Sequence, residues 1–537
     1  MNYCLDNNSL IITFDKEDKY SLKYYYTYQP YLYSNHNTIT IKEPLLKSNL
    51  IQFKKWFNIN DTHIDNYINN FNVLESLKCF SLSQYEQLRD YQNIGVDWTI
   101  NSLELNKFAF LFWDMRTGKT ITSTTIAKQY NKTIILCLSG QEDNWISTLK
   151  DINYNGKVLY SKLFKDRKEM YKEFNTINRG IMIVSMNSLS LDISYNDNLI
   201  SYYDLIIIDE IHKIKNPKTS IYQNTKKVVR YATYKLGLTG TPVSKHEVEV
   251  IPMFSLFNTK LNKTYLTQYF FDCNDYSFNT QWNKTYLLKD ENKWLEFLNT
   301  YSYQVKKEEV LTWVVEPNVE TIYLDMDETQ TRAYNLCLEN FQIDRNIINQ
   351  KEELGEIIAQ MIRLRQLTIH PILLNNNGRS VKEEWILNYI ISNPKEKIII
   401  FTTFSSYIPI LKDTLELFYN KKVLTITGRT KNKTKISQQF NNGDIDIIIA
   451  NIQAGSKGLS LDSADTLIFL DKDWRPDENK QASERLTATD IDRVKQQKIY
   501  NLVVKNSIDE HINEVLVHKK ENTELINNYK KLLLEKE

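Results

Sequence analysis

Residues 205–213 read LIIIDEIHK. Leu205 to Ile208 is apolar without a break, the pattern of a parallel strand buried on both faces. Asp209 and Glu210 then fall at its carboxyl end, where open α/β sheets bind their ligands. A second stretch, DMRTGKT at 114–120, supplies what an acid pair of this kind works on. The aromatic run Phe108 to Trp113 reads as a strand and Thr120 to Tyr130 as a helix, which gives a strand, loop, helix order. Gly118, Lys119 and Thr120 offer helix N-terminal amides, an ammonium for β- and γ-phosphates and a hydroxyl for Mg²⁺. With Arg116 and Thr117 they make a candidate ATP-binding loop. Thr120 and Asp209 are the candidate Mg²⁺ ligands, and Glu210 the group that orients or deprotonates the attacking water. The loop pattern is incomplete, because Trp113 stands where its first glycine belongs.

At 537 residues the chain exceeds one ordinary core and implies about three domains. No apolar run is long enough to span a membrane, and MNYCLDNNSL has no basic segment followed by an apolar one. The expectation is a soluble protein of the cytoplasm or nucleus. Cys4, Cys79, Cys137, Cys273 and Cys337 are odd in number and scattered, against a disulfide framework or a zinc cluster. The net charge of +1 gives no global field for nucleic acid, so such binding needs local patches. Only 13 residues are glycine, so Gly95, Gly118, Gly240, Gly455 and Gly458 mark backbone requirements. The abundance of Asn, Lys, Ile and Tyr fits an AT-rich genome, as many viruses have.

Apolar strand candidates at 108–113, 133–138, 181–184, 205–208 and 235–238 alternate with helical stretches, and a second alternation has strands near 397–401, 423–427, 445–450, 466–470 and 499–504. The fold class is therefore α/β, with two parallel-sheet lobes. The boundaries expected are a small N-terminal accessory region at 1–80, a first lobe at 81–258, a mainly helical insertion at 259–380, a second lobe at 381–515 and a helical tail at 516–537. Within the first region, Leu10–Phe14 and Thr38–Ile41 alternate like short strands.

Seven blocks occur in order: LRDYQNIGVDW (88–98), DMRTGKT (114–120), DEIHKIKNPKT (209–219), LGLTGTPV (236–243), IRLRQLTIHPILL (362–374), GSKGLSLDSAD (455–465) and LDKDWRP (470–476). Together they resemble the Swi/Snf-type ATPases of helicase superfamily 2, with DEIH as a DEAH-type box, over about residues 85–515. The resemblance implies two RecA-like lobes, ATP between them and double-stranded DNA across both. By position, Gln92 corresponds to the adenine-reading glutamine, with a surface glutamine as the plain alternative. His212, Thr239, Gly240, Thr241 and Gln481 correspond to residues coupling hydrolysis to movement. Ser139, Asn144, Trp145, Thr402, Gly455, Ser456 and Lys457 correspond to DNA contacts, while Lys213, Lys215 and Lys218 read as a basic loop.

The block QASERLTATD at 481–490 departs from the family pattern: its fifth position is Arg485, but its eighth is Ala488 where a second arginine is usual. An arginine there stabilises charge on the transferred phosphoryl group. Arg485 alone, Arg475 or Arg493 are the alternatives. Arg116 likewise replaces a glycine of the family's loop. The implied function is an ATP-driven motor on double-stranded or branched DNA, acting with replication, recombination or transcription proteins. A weakly hydrolysing ATP-gated clamp or transcription-associated scaffold is the alternative that Ala488 raises, and an RNA-dependent ATPase is a third reading.

Overall fold

The computed structural model describes residues 2–6, 9–15, 32–34, 38–44, 46–57, 59–79, 81, 83–196, 199–243, 247–275, 284–339, 350–430, 433–443, 445–455, 461–487 and 494–517. It divides between Val310 and Leu311 into two units.

The first unit begins with an antiparallel sheet, β1 (Asn2–Asp6), β2 (Ser9–Asp15), β3 (Leu32–Ser34) and β4 (Thr38–Pro44), in the order β1-β2-β4-β3. Helices Lys47–Phe57 and Thr62–Leu77 follow, the second capped by Asp61 accepting from the His63 amide. This region is tied to helices much later in the chain. Ser48 donates from both N–H and Oγ to the Glu296 carboxylate, at 2.9 and 2.5 Å, and Asn49 donates to the Tyr269 hydroxyl at 3.2 Å.

The main sheet contains β5 (Phe108–Trp113), β6 (Lys132–Cys137), β7 (Lys157–Tyr160), β8 (Gly180–Ser185), β9 (Tyr203–Ile208) and β10 (Ala232–Thr239). A hairpin of β11 (Phe271–Asp275) and β12 (Lys284–Leu288) lies apart from it, and β13 (Ser302–Val305) joins it at one edge. The order is β13-β5-β10-β9-β6-β8-β7, with every pair parallel. All six residues of β5 and all six of β8 are buried, as continuous apolar runs require when helices cover both faces. One face packs on an aromatic cluster in which Phe108, Phe110, Phe254, Phe257, Phe297 and Tyr301 touch ring to ring.

The second unit carries β14 (Asn318–Leu324), β15 (Ile398–Thr402), β16 (Val423–Ile426), β17 (Ile447–Asn451), β18 (Thr466–Phe469) and β19 (Lys498–Val504). They form one parallel sheet ordered β14-β19-β18-β15-β17-β16. The long helix Gln350–Ile369 and the helix Ile508–Val517 pack together through Leu364, Leu367, Ile508 and Ile512. The rest of the expected helical tail, from 518, lies outside the described residues.

The described residues of the stretch 259–380 are mainly helical, with helices Lys263–Phe270, Glu291–Tyr301, Glu328–Glu339 and Gln350–Ile369, but the stretch is not one inserted body. It supplies β13 to the first sheet and β14 to the second, and the division between units falls inside it. The physical reason is that both strands are edges: a one-sided pairing tolerates the polar patterns SYQV and NVETIYL, which carry little strand signal.

The helix Phe164–Thr176 is fastened by a buried ion pair. Arg167 grips Asp192 with two hydrogen bonds, Nε to Oδ2 at 2.7 Å and Nη2 to Oδ1 at 2.8 Å, and Tyr171 adds a third donor at 2.7 Å. Losing one partner leaves the other's charge buried. Arg167→Leu is expected to destabilise the first unit by about 3–5 kcal/mol, and Arg167→Leu with Asp192→Leu by distinctly less, read from urea midpoints. Equal losses in the single and double variants would contradict this account.

Candidate functional site

Three loops leave neighbouring strand ends. Phe112 of β5 is level with Thr239 of β10, and Ile208 of β9 with Gly237. Since adjacent strands lie about 4.8 Å apart, residues 113–120, 209–212 and 239–241 share one edge of the first sheet.

The loop after β5 is shaped by its backbone. Gly118 has φ +86°, and a Cβ there would meet Gln92 Nε2 at 2.2 Å, so a side chain is barred by conformation and by space. Arg116 also takes the left-handed region, at φ +67°. Its replacement of a glycine thus changes the side chain while the loop keeps a glycine-like turn. Thr117 Oγ1 donates to Asp114 O at 2.7 Å. Lys119 opens the helix Lys119–Ala127 and folds back, its Nζ donating to Trp113 O at 2.8 Å and Asp114 O at 3.0 Å. Asp114 fixes the loop's base to β13: its N–H donates to Val305 O and its Oδ2 accepts from the Lys307 amide, both at 2.9 Å.

Gln92 is buried, which removes the surface-glutamine alternative. Its Oε1 accepts from the Arg89 amide at 2.9 Å, and its Nε2 donates to Thr117 O at 3.0 Å. Tyr91 donates to the same carbonyl at 2.8 Å. The helix Asp90–Asn106 is thereby clamped onto the phosphate-type loop.

At the end of β9, Asp209 Oδ1 accepts from the Glu210 amide at 3.0 Å and Oδ2 from Trp145 Nε1 at 3.3 Å. Trp145 is fully buried, so the DNA contact expected of it is corrected: its indole turns inward, where apolar packing and the Asp209 carboxylate both hold it. Ser139 and Asn144, from the same segment, are exposed. Burial, reinforced by the adjacent Glu210 carboxylate, pushes the Asp209 carboxyl above its ordinary value, with Lys119 opposing. Burial acts on Glu210 in the same sense, but His212, Lys119 and Lys213 outweigh it and hold that carboxyl below its ordinary value. The two carboxyls of the pair are thus pushed in opposite directions, Asp209 up and Glu210, with left-handed backbone at φ +50°, down.

His212 is buried in the turn that follows. Its Nδ1 lies 2.8 Å from Thr239 Oγ1 and 3.2 Å from Glu210 Oε2. Thr239 Oγ1 also accepts from the Thr241 amide at 3.0 Å. Gly240 passes so close to the first loop that a Cβ would stand 3.2 Å from Trp113 O. One buried hydroxyl thus links the acid pair's histidine to the loop after β10. Of the basic loop, Lys215 is paired with Glu249 at 2.8 Å.

In the second unit, Thr402 is buried and donates to Asp471 Oδ1 at 2.8 Å, which corrects its assignment as a DNA contact. Gly455 is also buried, its would-be Cβ 2.5 Å from the Phe401 ring, so it is a packing glycine. Ser456, Lys457 and Gly458 lie outside the described residues, as do Ala488 and Arg493. Arg475 is bound to Asp473 through Nε and Nη2, at 3.1 and 3.2 Å, which weakens it as a substitute arginine. Arg485 stands half-buried just after the helix Pro476–Ser483, within which Gln481 is buried. Sequence reading missed Arg365, which donates to Asp471 Oδ2 and Lys472 O, each at 2.7 Å, beneath Phe404 and Trp474. An arginine within an apolar helical run was the available signal.

Residues 91–373 match the SNF2-related domain and residues 381–487 the helicase conserved C-terminal domain. Similar curated proteins include an uncharacterized ATP-dependent helicase of Mycoplasma genitalium, 26% identical over 82% of this chain and 42% of its own length. Another is the ISWI chromatin-remodeling complex ATPase ISW1 of Saccharomyces cerevisiae, 25% identical over 80% of this chain and 39% of its length. The chain spans about two fifths of the length of these relatives. A solved structure, the Sulfolobus solfataricus SWI2/SNF2 ATPase core in complex with dsDNA, aligns over 83% of this chain and 94% of its own, with 21% identity and a TM-score of 0.39.

Trp145→Phe keeps the apolar packing and deletes the donor to Asp209. The variant is expected to weaken Mg²⁺-dependent nucleotide binding several-fold while nucleotide binding without Mg²⁺ is unchanged. An unaltered Mg²⁺ titration would show that the indole only fills space.

Proposed function

The chain belongs to the SNF2-related family, and we propose that it is an ATP-hydrolysing motor that moves along double-stranded DNA. The observation that carries this reading is the convergence of Lys119, the Asp209–Glu210 pair and the His212–Thr239 link on adjacent strand ends. The relatives' names, an ATP-dependent helicase and a chromatin-remodeling ATPase, support DNA as the track.

The residues divide the work as follows. Lys119 exchanges its bonds to two loop carbonyls for the β- and γ-phosphates, and the amides at the start of its helix receive the remaining phosphate oxygens. Gln92 holds the loop through Thr117 O and is our candidate for the adenine-reading residue. Glu210, kept ionised, accepts a hydrogen bond from the attacking water and orients it. The Thr120 hydroxyl and the Asp209 carboxylate form the hard-oxygen set that would hold Mg²⁺. When bound, Mg²⁺ neutralises charge on the β- and γ-phosphates. Arg485 is our candidate for the charge-stabilising arginine, and Ser139 and Asn144 for backbone contacts to DNA, which position a duplex without reading its sequence.

His212, Thr239, Gly240, Thr241 and Gln481 are proposed to carry the coupling between hydrolysis and movement. The shared Thr239 hydroxyl is the physical element: a change at Glu210 reaches the loop 239–241 through one hydrogen-bonded oxygen.

Steady-state ATP hydrolysis with Mg²⁺ is expected to rise strongly on adding duplex DNA, and Lys119→Ala or Glu210→Gln to lower the stimulated rate by about 10²-fold or more. Full activity in both variants would overturn the site assignment. ATP-dependent DNA binding without turnover would favour the clamp. Thr239→Val is expected to bind ATP like the wild type but to lose most of the stimulation, and full stimulation in it would remove the coupling role.

A further inference from the structure

A hollow of about 610 Å³ opens in the first unit at the other end of β5 from the phosphate-type loop. It lies among the end of the helix Asp90–Asn106, the starts of β5 and β10, the helix Ser220–Val229 and the turn after the helix Ile251–Phe257. The six residues of β5, at about 3.3 Å each, put roughly 20 Å between the hollow and the ATP loop. It is therefore a separate place on the same unit.

Six cations line it: Lys107, Lys226, Lys227, Arg230, Lys235 and Lys260. No carboxylate is among the described lining residues, in a chain whose net charge is only +1. Lys226 and Arg230 are exposed on one face of their helix, and Arg230 is propped by Tyr231, 4.8 Å from the ring and 2.8 Å from its hydroxyl. Lys107 lies 5.0 Å over the Tyr234 ring and 4.0 Å from Glu104, an exposed pair of little strength. Burial holds the Lys235 ammonium below its ordinary pKa. Like charges gathered this way, Lys226 and Arg230 exposed among them, attract an incoming polyanion.

The lining also narrows the anion's identity. Phe108, Val229, Leu256 and Phe257 form a floor that is at most 5% exposed, so no ring is offered for stacking on unpaired bases and no apolar slot for an anchoring peptide side chain. What remains is charge and hydrogen bonding, the chemistry that holds duplex phosphates without reading sequence. We propose that this hollow is a second docking site for the backbone phosphates of double-stranded DNA, distinct from contacts made by the loops at the ATP end of the sheet. The choice of DNA as the polyanion rests on the motor reading.

The test is equilibrium binding of a labelled mixed-sequence duplex to the full chain, titrated with salt, for the wild type, Lys226→Gln/Arg230→Gln, and Lys395→Gln/Lys412→Gln as an equal charge loss in the second unit. The first pair is expected to weaken binding about tenfold at 0.1 M salt and to lower the slope of log K against log salt by about 2, with hydrolysis in the absence of DNA unchanged. Binding and slope like the wild type's, or an equal loss in the control pair, would overturn the proposal. So would a polyglutamate peptide whose binding the first pair abolishes while duplex binding persists. A wild-type chain that binds no duplex at all overturns the motor reading as well, which separates that failure from this one.

Discussion

The parallel register of β10 between β5 and β9 is the constraint on which the rest depends. β10 fits there because Gly237 has no side chain: a Cβ would stand 2.6 Å from the Phe110 ring and 3.0 Å from Ile211. From that seating Thr239 reaches His212, and Gly240 passes against Trp113 O. A slip of one residue would send every side chain of the strand to the opposite face and take the Thr239 hydroxyl away from His212. Chemistry at this edge is thus a consequence of packing two residues earlier.

The two units place a carboxylate at comparable points and treat it in opposite ways. Asp471, just past β18, accepts from Thr402, from the Thr403 amide and hydroxyl, and from Arg365, so its charge is fully answered inside the fold. Asp209, just past β9, accepts from an indole and one backbone amide, beside a second carboxylate and with the Lys119 ammonium acting at longer range. The first arrangement holds a strand end in place. The second leaves a carboxyl raised by burial and by its neighbour, a perturbed group of the kind that marks functional sites.

Legibility in the sequence followed the pairing environment. Strands buried between two neighbours, such as FAFLFW at 108–113 and IIIFT at 398–402, announce themselves because both faces must be apolar. The edge strands KVLY, SYQV and NVETIYL do not, since half their surroundings are water and their conformation is imposed by the partner strand, although VLTI at 423–426, also an edge, was expected from its apolar residues. Among site residues, Gly118, Lys119, Asp209 and Glu210 were expected at the ends of buried apolar strands, and the sheet register brings those ends side by side. Trp145 and Thr402 were misread for a different reason: position in a block does not say whether a side chain turns inward, and a buried carboxylate drew each of them in. Arg365 was missed because its partners Asp471 and Lys472 lie more than a hundred positions away, so that only its setting in an apolar helical run hinted at it.

The most direct measurement of the central claim is displacement of a triplex-forming strand from a duplex, followed with ATP and Mg²⁺ and then with a non-hydrolysable ATP analogue. A motor moving on double-stranded DNA strips the third strand only when ATP is hydrolysed, and faster as the triplex is placed nearer the loading end. Release of the third strand at equal rates with the analogue, or no release despite rapid ATP turnover, would contradict the account.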